Sequence, residues 1–586
     1  MAGSGTSAPN TALDPIQVEI LRHAFLAAAE EMKINLGRTA YNPIIYEVLD
    51  YSCGIFDRHC RTIAQADGLP GFLGHLGLAV RRVVDDVGED RLRAGDIYLI
   101  NDPYEQGTHV NDVTTVEPVF HDEELMAFVV TRAHWLDIGA IAPGGSIETT
   151  DIVQEGLWLR SIRLYEEGVL NESVWRMIEY NIRYQKSMLG DLRAQVASSR
   201  TGALRMREIV SRHGAGAVDG AIEEIIRQSE ERARAGVRAM HDGVYEAEGQ
   251  LDDDCLGNGP LHIKVRVTVE GDEVLVDLGG TGPMNVGPVN APLPATLCCC
   301  RIALKAFTNP HGPATEGDFA PLRVTAPEGS MVAAVYPAPT FVISSLSIIL
   351  IDLVARAMAQ AIPGHAMGGH YGNLAAYTLF GDDPDTGALY IQQEPLYGGW
   401  GATADRDGEN ALIVMVNGDC RVLPAETLEA RFPLRMERYE LRQDSGGPGR
   451  QRGGLGTIRD LRPLRHQSHL MALNDRSVDP PWGIDGGRPA AHCVAVLDVD
   501  GPEPITIGKA QGRPIPAGMV VSLRTGGGGG YGDPLERATA AVLGDVLAGY
   551  VSVEAAERDY GVVIDPLALT IDRTATQRLR EQGRRT

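Results

Sequence analysis

The chain has 586 residues, of which 44% are hydrophobic and 22% charged, enough apolar material for several packed cores. Lys and Arg number 53 against 78 Asp and Glu, a formal charge of -25, which excludes nucleic acid and anionic membrane surfaces as general partners. The opening "MAGSGTSAPNTALDP" has neither a basic leader nor an apolar core, so a cytoplasmic protein with a flexible tail over 1–13 is expected.

In chain order, Asp14-Pro15 is a helix start, and Ile16, Ile20, Leu21 and Phe25 carry a helix to about Leu36. Residues 44 to 165 alternate short apolar runs with turns, which places an N-terminal α/β region over 14–167. Between Asn171 and Ala247 the chain is rich in Glu, Arg, Ala, Met and Leu, predicting a helical region over 168–250 whose charges are a solvated face. An α/β region follows over 251–390. In it "LHIKVRVTVEGDEVLVDLGG" reads as a hairpin with Ile263, Val265, Val267 and Val269 on one face, and helical segments belong at 298–307 and 346–361. The long apolar run from Phe341 is broken by serines, Asp352 and Arg356, as in a core helix and not a membrane span. Strands return after about Tyr390, giving a Gly-rich, mainly β region over 391–534 and a helical tail over 535–586. The expected fold class is α+β (mixed α/β) in several layers.

Three local patterns invite chemistry that their context denies. Eight cysteines are few for this length and lack zinc-finger spacing, so the "CCCR" at Cys298 to Arg301 is expected to pack as buried thiols. "DSGGPG" and "AAHC" resemble serine-protease fragments, but Ser445 precedes His492, the reverse of the trypsin-like order. "GGGGG" at Gly526 to Gly530 has no Lys-Ser/Thr after it, so it reads as glycines against a neighbouring backbone and not as a phosphate loop.

The stretch "NDPYEQGTHVNDVTTVEPVF" is different, because it places two aspartates, two glutamates and a histidine where a core strand belongs. His109 and Asp112 lie three apart in it, and His134 and Asp137 lie three apart in "TRAHWLDIGA". Antiparallel pairing of 113–120 with 126–133 would bring the two pairs to one end of a ribbon. Imidazole and carboxylate converging there suit a divalent cation of the Mn, Fe or Zn type, with Glu47, Asp50 and Asp57 upstream as further carboxylates. Asp102 is expected to bond its own turn, and His121 to sit at the hairpin tip.

These residues, with "YEVLDYSCGIFD", "GGWGATADRDGENA", "LPAETLEARFPL", "YELRQDSGGPGRQRGGLG" and "GGGGGYGDP", resemble the hydantoinase B family over nearly the whole chain. That family includes the B-type subunits of ATP-dependent hydantoinases, 5-oxoprolinases and acetone or acetophenone carboxylases. The resemblance implies a hetero-oligomer in which a separate A-type subunit takes up ATP and phosphorylates the substrate carbonyl oxygen. It implies a metal held by Glu47, His109, Asp112 and His134, with Asp50 and Asp137 as candidate catalytic carboxylates, Asp137 orienting a ligand. The compact length favours a cyclic amide or imide hydrolase, with a ketone carboxylase as the rival reading and a scaffold for the ATP-binding partner as a third. "VMVNGDCRVLPAETLE" departs from the pattern expected of hydantoinases, which touches Asn417, Glu426 and Glu429.

Overall fold

The computed structural model describes residues 14–362 and 364–583, so the expected 1–13 tail lies outside the described residues. Asp14 caps the first helix, Pro15–Thr39, its carboxylate accepting from the Ile16 amide at 3.0 Å. The buried stripe runs through Val18, Leu21, Phe25, Met32 and Leu36. Ile16 and Ile20, expected on it, stand off that face and are 68% and 53% exposed, because the three- and four-residue steps start from Val18.

Seven strands form the sheet that carries the site: β1 (Tyr51–Asp57), β2 (Thr62–Gln65), β3 (Ile97–Ile100), β4 (Asp112–His121), β5 (Glu124–His134), β6 (Ile162–Glu166) and β7 (Val169–Leu170). Their order is β2-β1-β5-β4-β3-β6-β7, antiparallel throughout. Both faces are covered. Cys53, Ile55 and Val129 pack with the Pro15–Thr39 helix, and Phe56, Val116 and Phe128 pack with Val80 and Val83 of helix Leu76–Val87. This double burial explains why the strands read as continuous apolar runs without alternation. The helices expected over 168–250 include Gln185–His213, which lies across β4 and β5, and Ala215–Arg238. Gly202 lets the first of these meet the Pro15–Thr39 helix closely, since a Cβ there would lie 2.2 Å from Met32 Sδ.

A second sheet, β8 (Gly243–Leu251), β9 (Leu261–Glu270), β10 (Glu273–Asp277) and β11 (Leu322–Thr325), has the expected apolar face, with only β10 and β11 parallel. That face packs on helices Leu293–Thr308 and Ile343–Ala359. Cys298, Cys299 and Cys300 are buried on the first of them, and burial pushes all three thiols up. No helix among the described residues is long and apolar enough to cross a membrane.

The remaining strands are β12 (Ala376–Asp382), β13 (Leu389–Glu394), β14 (Leu434–Leu441), β15 (Thr457–Pro463), β16 (Ser468–Leu473), β17 (Val494–Leu497), β18 (Ile505–Ile507), β19 (Lys509–Ile515) and β20 (Val521–Arg524). They build the sheets β13-β12-β16-β19 and β14-β15-β20-β17-β18. Strands therefore resume at Ala376 and not after Tyr390, because Tyr377 and Leu379 are buried as a strand pair opposite Glu394 and Gln392. Between the sheets the glycine runs form a core made of backbone. Gly528 O accepts from Gly447 N at 2.8 Å, Gly529 O from Ala402 N at 2.9 Å, and Gly530 O from Ile484 N at 3.0 Å. A Cβ on Gly528 would lie 1.9 Å from Trp400 O, and one on Gly529 1.8 Å from Trp482 O. Ser445 lies in the same core; its hydroxyl is taken by Arg442 O and the Gly456 amide, leaving no serine–histidine pair with His492.

Candidate metal centre

The β4–β5 hairpin turns on Asp122 and Glu123, both at positive φ, a two-residue loop matched to strand twist. That turn sets a register in which Asp112 stands opposite His134 at the far end of the ribbon. His121 pairs with Glu124 beside the turn, at the tip. Directly paired residues share a face, so the Asp112 carboxylate meets the His134 ring, Oδ1 to Nδ1 at 3.1 Å. His109 enters from the preceding turn, where Gly107 at φ 80° passes so near Ala295 that a Cβ would lie 2.8 Å from its amide. Its Nε2 lies 3.3 Å from Asp112 Oδ2. Asp102 caps the short helix before that turn, accepting from the Tyr104 amide.

His109, Asp112 and His134 thus form a cluster whose candidate ligand atoms lie within 4.8 Å of one another. Burial pushes His109 down to about 4, against the pull of Asp112. Burial would also lower His134, but its hydrogen bond to the Asp112 carboxylate and the charges of Asp50 and Asp112 outweigh it and raise the ring. Asp112 is held low, because the two imidazoles overcome the cost of its burial. One carboxylate bridging two imidazoles fits a divalent cation with nitrogen and oxygen donors and no thiolate. His109 Nδ1 is buried without a hydrogen-bond partner.

Behind the cluster lies a cation with no carboxylate in contact. Arg132 is fully buried and donates to Thr114 Oγ1 at 2.7 Å, Gln106 Oε1 at 3.1 Å and the Phe72 carbonyl. His75, pushed down to about 3 by burial and by Arg132, is neutral; its Nδ1 accepts from Arg132 at 3.0 Å while Nε2 donates to the Gly107 carbonyl. Gln106 Nε2 donates to Asp112 O at 2.8 Å, so this network fixes the backbone that carries the Asp112 carboxylate.

The cluster opens into a cavity of about 120 Å³. Asp50 lies on its wall, because β1 continues beside β5 and the Asp50 carbonyl accepts from the His134 amide at 3.0 Å. Burial pushes the Asp50 carboxyl up to about 7, with Asp112 adding to the shift and His134 opposing it. The structure does not bring Glu47 or Asp137 to this group. Glu47 ends the short helix Pro43–Tyr46 and does not line the cavity, since the chain folds back through Leu49 at φ 63° before reaching Asp50. Asp137 is spent on Arg183, accepting from its amide and its guanidinium at 2.6 Å each. Asp57 is likewise held by Arg61.

Sequence reasoning missed the opposite wall. Gln393 of β13 lies 3.2 Å by Oε1 from His134 Nε2. Glu394 beside it forms a fully buried ion pair with Arg459 at 2.9 Å and also accepts from Tyr377 and the Leu423 amide at 2.6 Å. Phe341, at the start of helix Ile343–Ala359, meets the His109 ring edge-on at 5.6 Å. Asn417 also lines the cavity, whereas Glu429 accepts from the Met436 amide within its own segment.

The model for the hydantoinase B/oxoprolinase family matches residues 14–534. The chain belongs to that family. It is 33% identical to the B-type subunit of a putative D-/L-hydantoinase of Pseudomonas sp. (strain NS671), over 97% of this chain and 98% of that one. It is 31% identical to the β subunit of a caprolactamase of Pseudomonas jessenii, over 94% of this chain and 97% of the relative. A 5-oxoprolinase of Arabidopsis thaliana is 27% identical over 91% of this chain but only 43% of its own length. Among solved structures, the ATP-dependent caprolactamase of Pseudomonas jessenii superposes with a TM-score of 0.91 at 30% identity, covering 98% of this chain and 100% of that one. A nucleotide-free acetone carboxylase shares the fold, with a TM-score of 0.90 at 19% identity over 98% of this chain and 83% of that one.

Proposed function

We infer that this chain is the B-type subunit of an ATP-dependent hydrolase of cyclic amides or imides, working with a separate A-type ATP-binding subunit. The observation that carries the reading is the bridged His109–Asp112–His134 cluster on the wall of a cavity. The full-length similarity to the B-type subunit of a hydantoinase and the β subunit of a caprolactamase supports it. The 5-oxoprolinase that continues well beyond the matched region is consistent with an ATP-handling partner carried on the same chain in some relatives.

His109, Asp112 and His134 would hold a divalent ion of the Mn, Zn or Fe type, which supplies Lewis-acid polarisation of a carbonyl or an oxygen nucleophile. The chain's own residues do the rest. Asp112 positions both rings through its two oxygens. Asp50, with a carboxyl near neutrality, can take or return a proton on the cavity wall, as ring opening of an amide requires at the departing nitrogen. Phe72, Phe341 and Leu473 give the same wall an apolar surface against which a ring can pack.

Reconstitution with the A-type subunit should give ATP-dependent ring opening, with one divalent ion per B-type chain by elemental analysis. His109→Ala and His134→Ala should assemble but lose both ion and product. Asp50→Asn should keep the ion and lose about 100-fold or more in turnover. Turnover retained by the histidine variants would leave the chain a scaffold. ATP use that depends on bicarbonate and a ketone would make it part of a carboxylase.

A further inference from the structure

The cavity beside the cluster is small and mostly apolar, walled by Ile44, Phe72, Phe341, Leu374, Met471 and Leu473. Its volume of about 120 Å³ is close to the roughly 150 Å³ of an engineered cavity that accepts one benzene, the room of one small ring. Thr108, Ser344, Ser347, Gln393 and Asn417 offer neutral hydrogen-bonding groups of the kind that meet an amide N–H and C=O. The carboxyl side chains on the wall are Asp50, Asp112 and Glu394. Among the described residues, no lysine or arginine lines it. The two guanidiniums nearby are turned to other duties: Arg132 bonds Thr114, Gln106 and His75 behind the cluster, and Arg459 is paired with Glu394.

We propose that this site selects cyclic amides whose ring bears no carboxylate, such as simple lactams and hydantoins, and rejects anionic rings such as 5-oxoproline. Such selectivity rests on the hydrolase reading above. An ion held by His109, Asp112 and His134 would be the one positive charge facing the cavity, and a phosphoryl group on the amide oxygen takes that charge. A ring carboxylate would then enter a mostly apolar space beside Asp50 with no lysine or arginine to pair it, a costly arrangement for a buried charge. A neutral ring leaves nothing unpaired.

The test uses the chain reconstituted with its ATP-binding partner, comparing 2-piperidone and hydantoin with D- and L-5-oxoproline. The expected result is a kcat/KM for the neutral rings at least about 100-fold above that for either 5-oxoproline enantiomer. Preference for 5-oxoproline, or equal use of both classes, overturns the specificity while leaving the hydrolase standing. Failure to open any of the four rings overturns both. In Met471→Arg, which places a cation on the wall, the ratio should move toward 5-oxoproline by about tenfold or more. If that variant does not fold, calorimetric titration of the metal-loaded wild-type chain with 2-piperidone and 5-oxoproline decides. Binding of the neutral ring alone supports the proposal, and tighter binding of the anionic ring refutes it.

Discussion

His134 is the residue on which the site turns, because each of its ring nitrogens faces an oxygen: Asp112 Oδ1 at 3.1 Å and Gln393 Oε1 at 3.2 Å. Two acceptors on one imidazole require a proton or a cation at each nitrogen. An ion held by His109, Asp112 and His134 would need an unprotonated ring nitrogen, and Gln393 Oε1 would hold the remaining proton at Nε2. Gln393→Leu should therefore weaken metal binding by about 10- to 100-fold in a chelator competition titration, while leaving the folded structure intact. Asn417→Ala, on the same wall but without an imidazole contact, should leave metal affinity unchanged. The histidines and Asp112 were legible in the sequence because they recur at three-residue spacing on one ribbon. Gln393 was not, since "YIQQEP" carries no spacing that points to a hairpin so far up the chain. Glu47 and Asp50 could not be separated by sequence, because the turn at Leu49 decides which of them reaches the cavity.

At the scale of elements, the β4–β5 ribbon is clamped against helix Gln185–His213 by polar contacts within an apolar layer. Trp135 donates to Gln195 at 2.9 Å, and Thr115 bonds Ser199 at 2.9 Å. Glu117 is the discordant member of this layer: 4% exposed, with Oε2 unpartnered. Burial pushes it up to about 7, opposed only by the more distant Arg207 and Arg200. The unfolded chain releases this proton near pH 4.5 and the folded chain near 7, so the cost to stability is absent below the first value. It grows between the two and is complete above the second. Glu117→Gln should match wild type near pH 4 and be more stable by about 2–3 kcal/mol above pH 7, read from urea unfolding at the two pH values. The hairpin and helices of this layer were visible from period and capping. Their layering was not, because a sheet buried on both faces loses the alternation that would show which side faces which helix.

Across the whole molecule, the glycine-rich segments join the sheets mainly through main-chain atoms. Gly453 shows the consequence, for a Cβ there would lie 1.7 Å from Gly528 O. Gly453→Ala should prevent accumulation of soluble protein. Gly544→Ala, in helix Thr539–Leu547 with nothing within 4 Å of the added Cβ, should be neutral or stabilising by up to about 1 kcal/mol in thermal unfolding. The composition announced tight turns here. It could not announce that separated runs converge, since glycine has no side chain whose pattern names its neighbour.

The three clustered residues sit on a hairpin and its preceding turn, whereas Phe341, Gln393 and Leu473 close over them from far down the chain. A ribbon of that kind zips locally on a timescale of microseconds, long before distant strands can be recruited. Cargo would accordingly be taken aboard while the vessel is still undecked. Chain renatured in the presence of Mn or Zn should come out loaded, and chain stripped after folding should refill only as fast as its covering strands breathe, which a stopped-flow uptake trace would reveal.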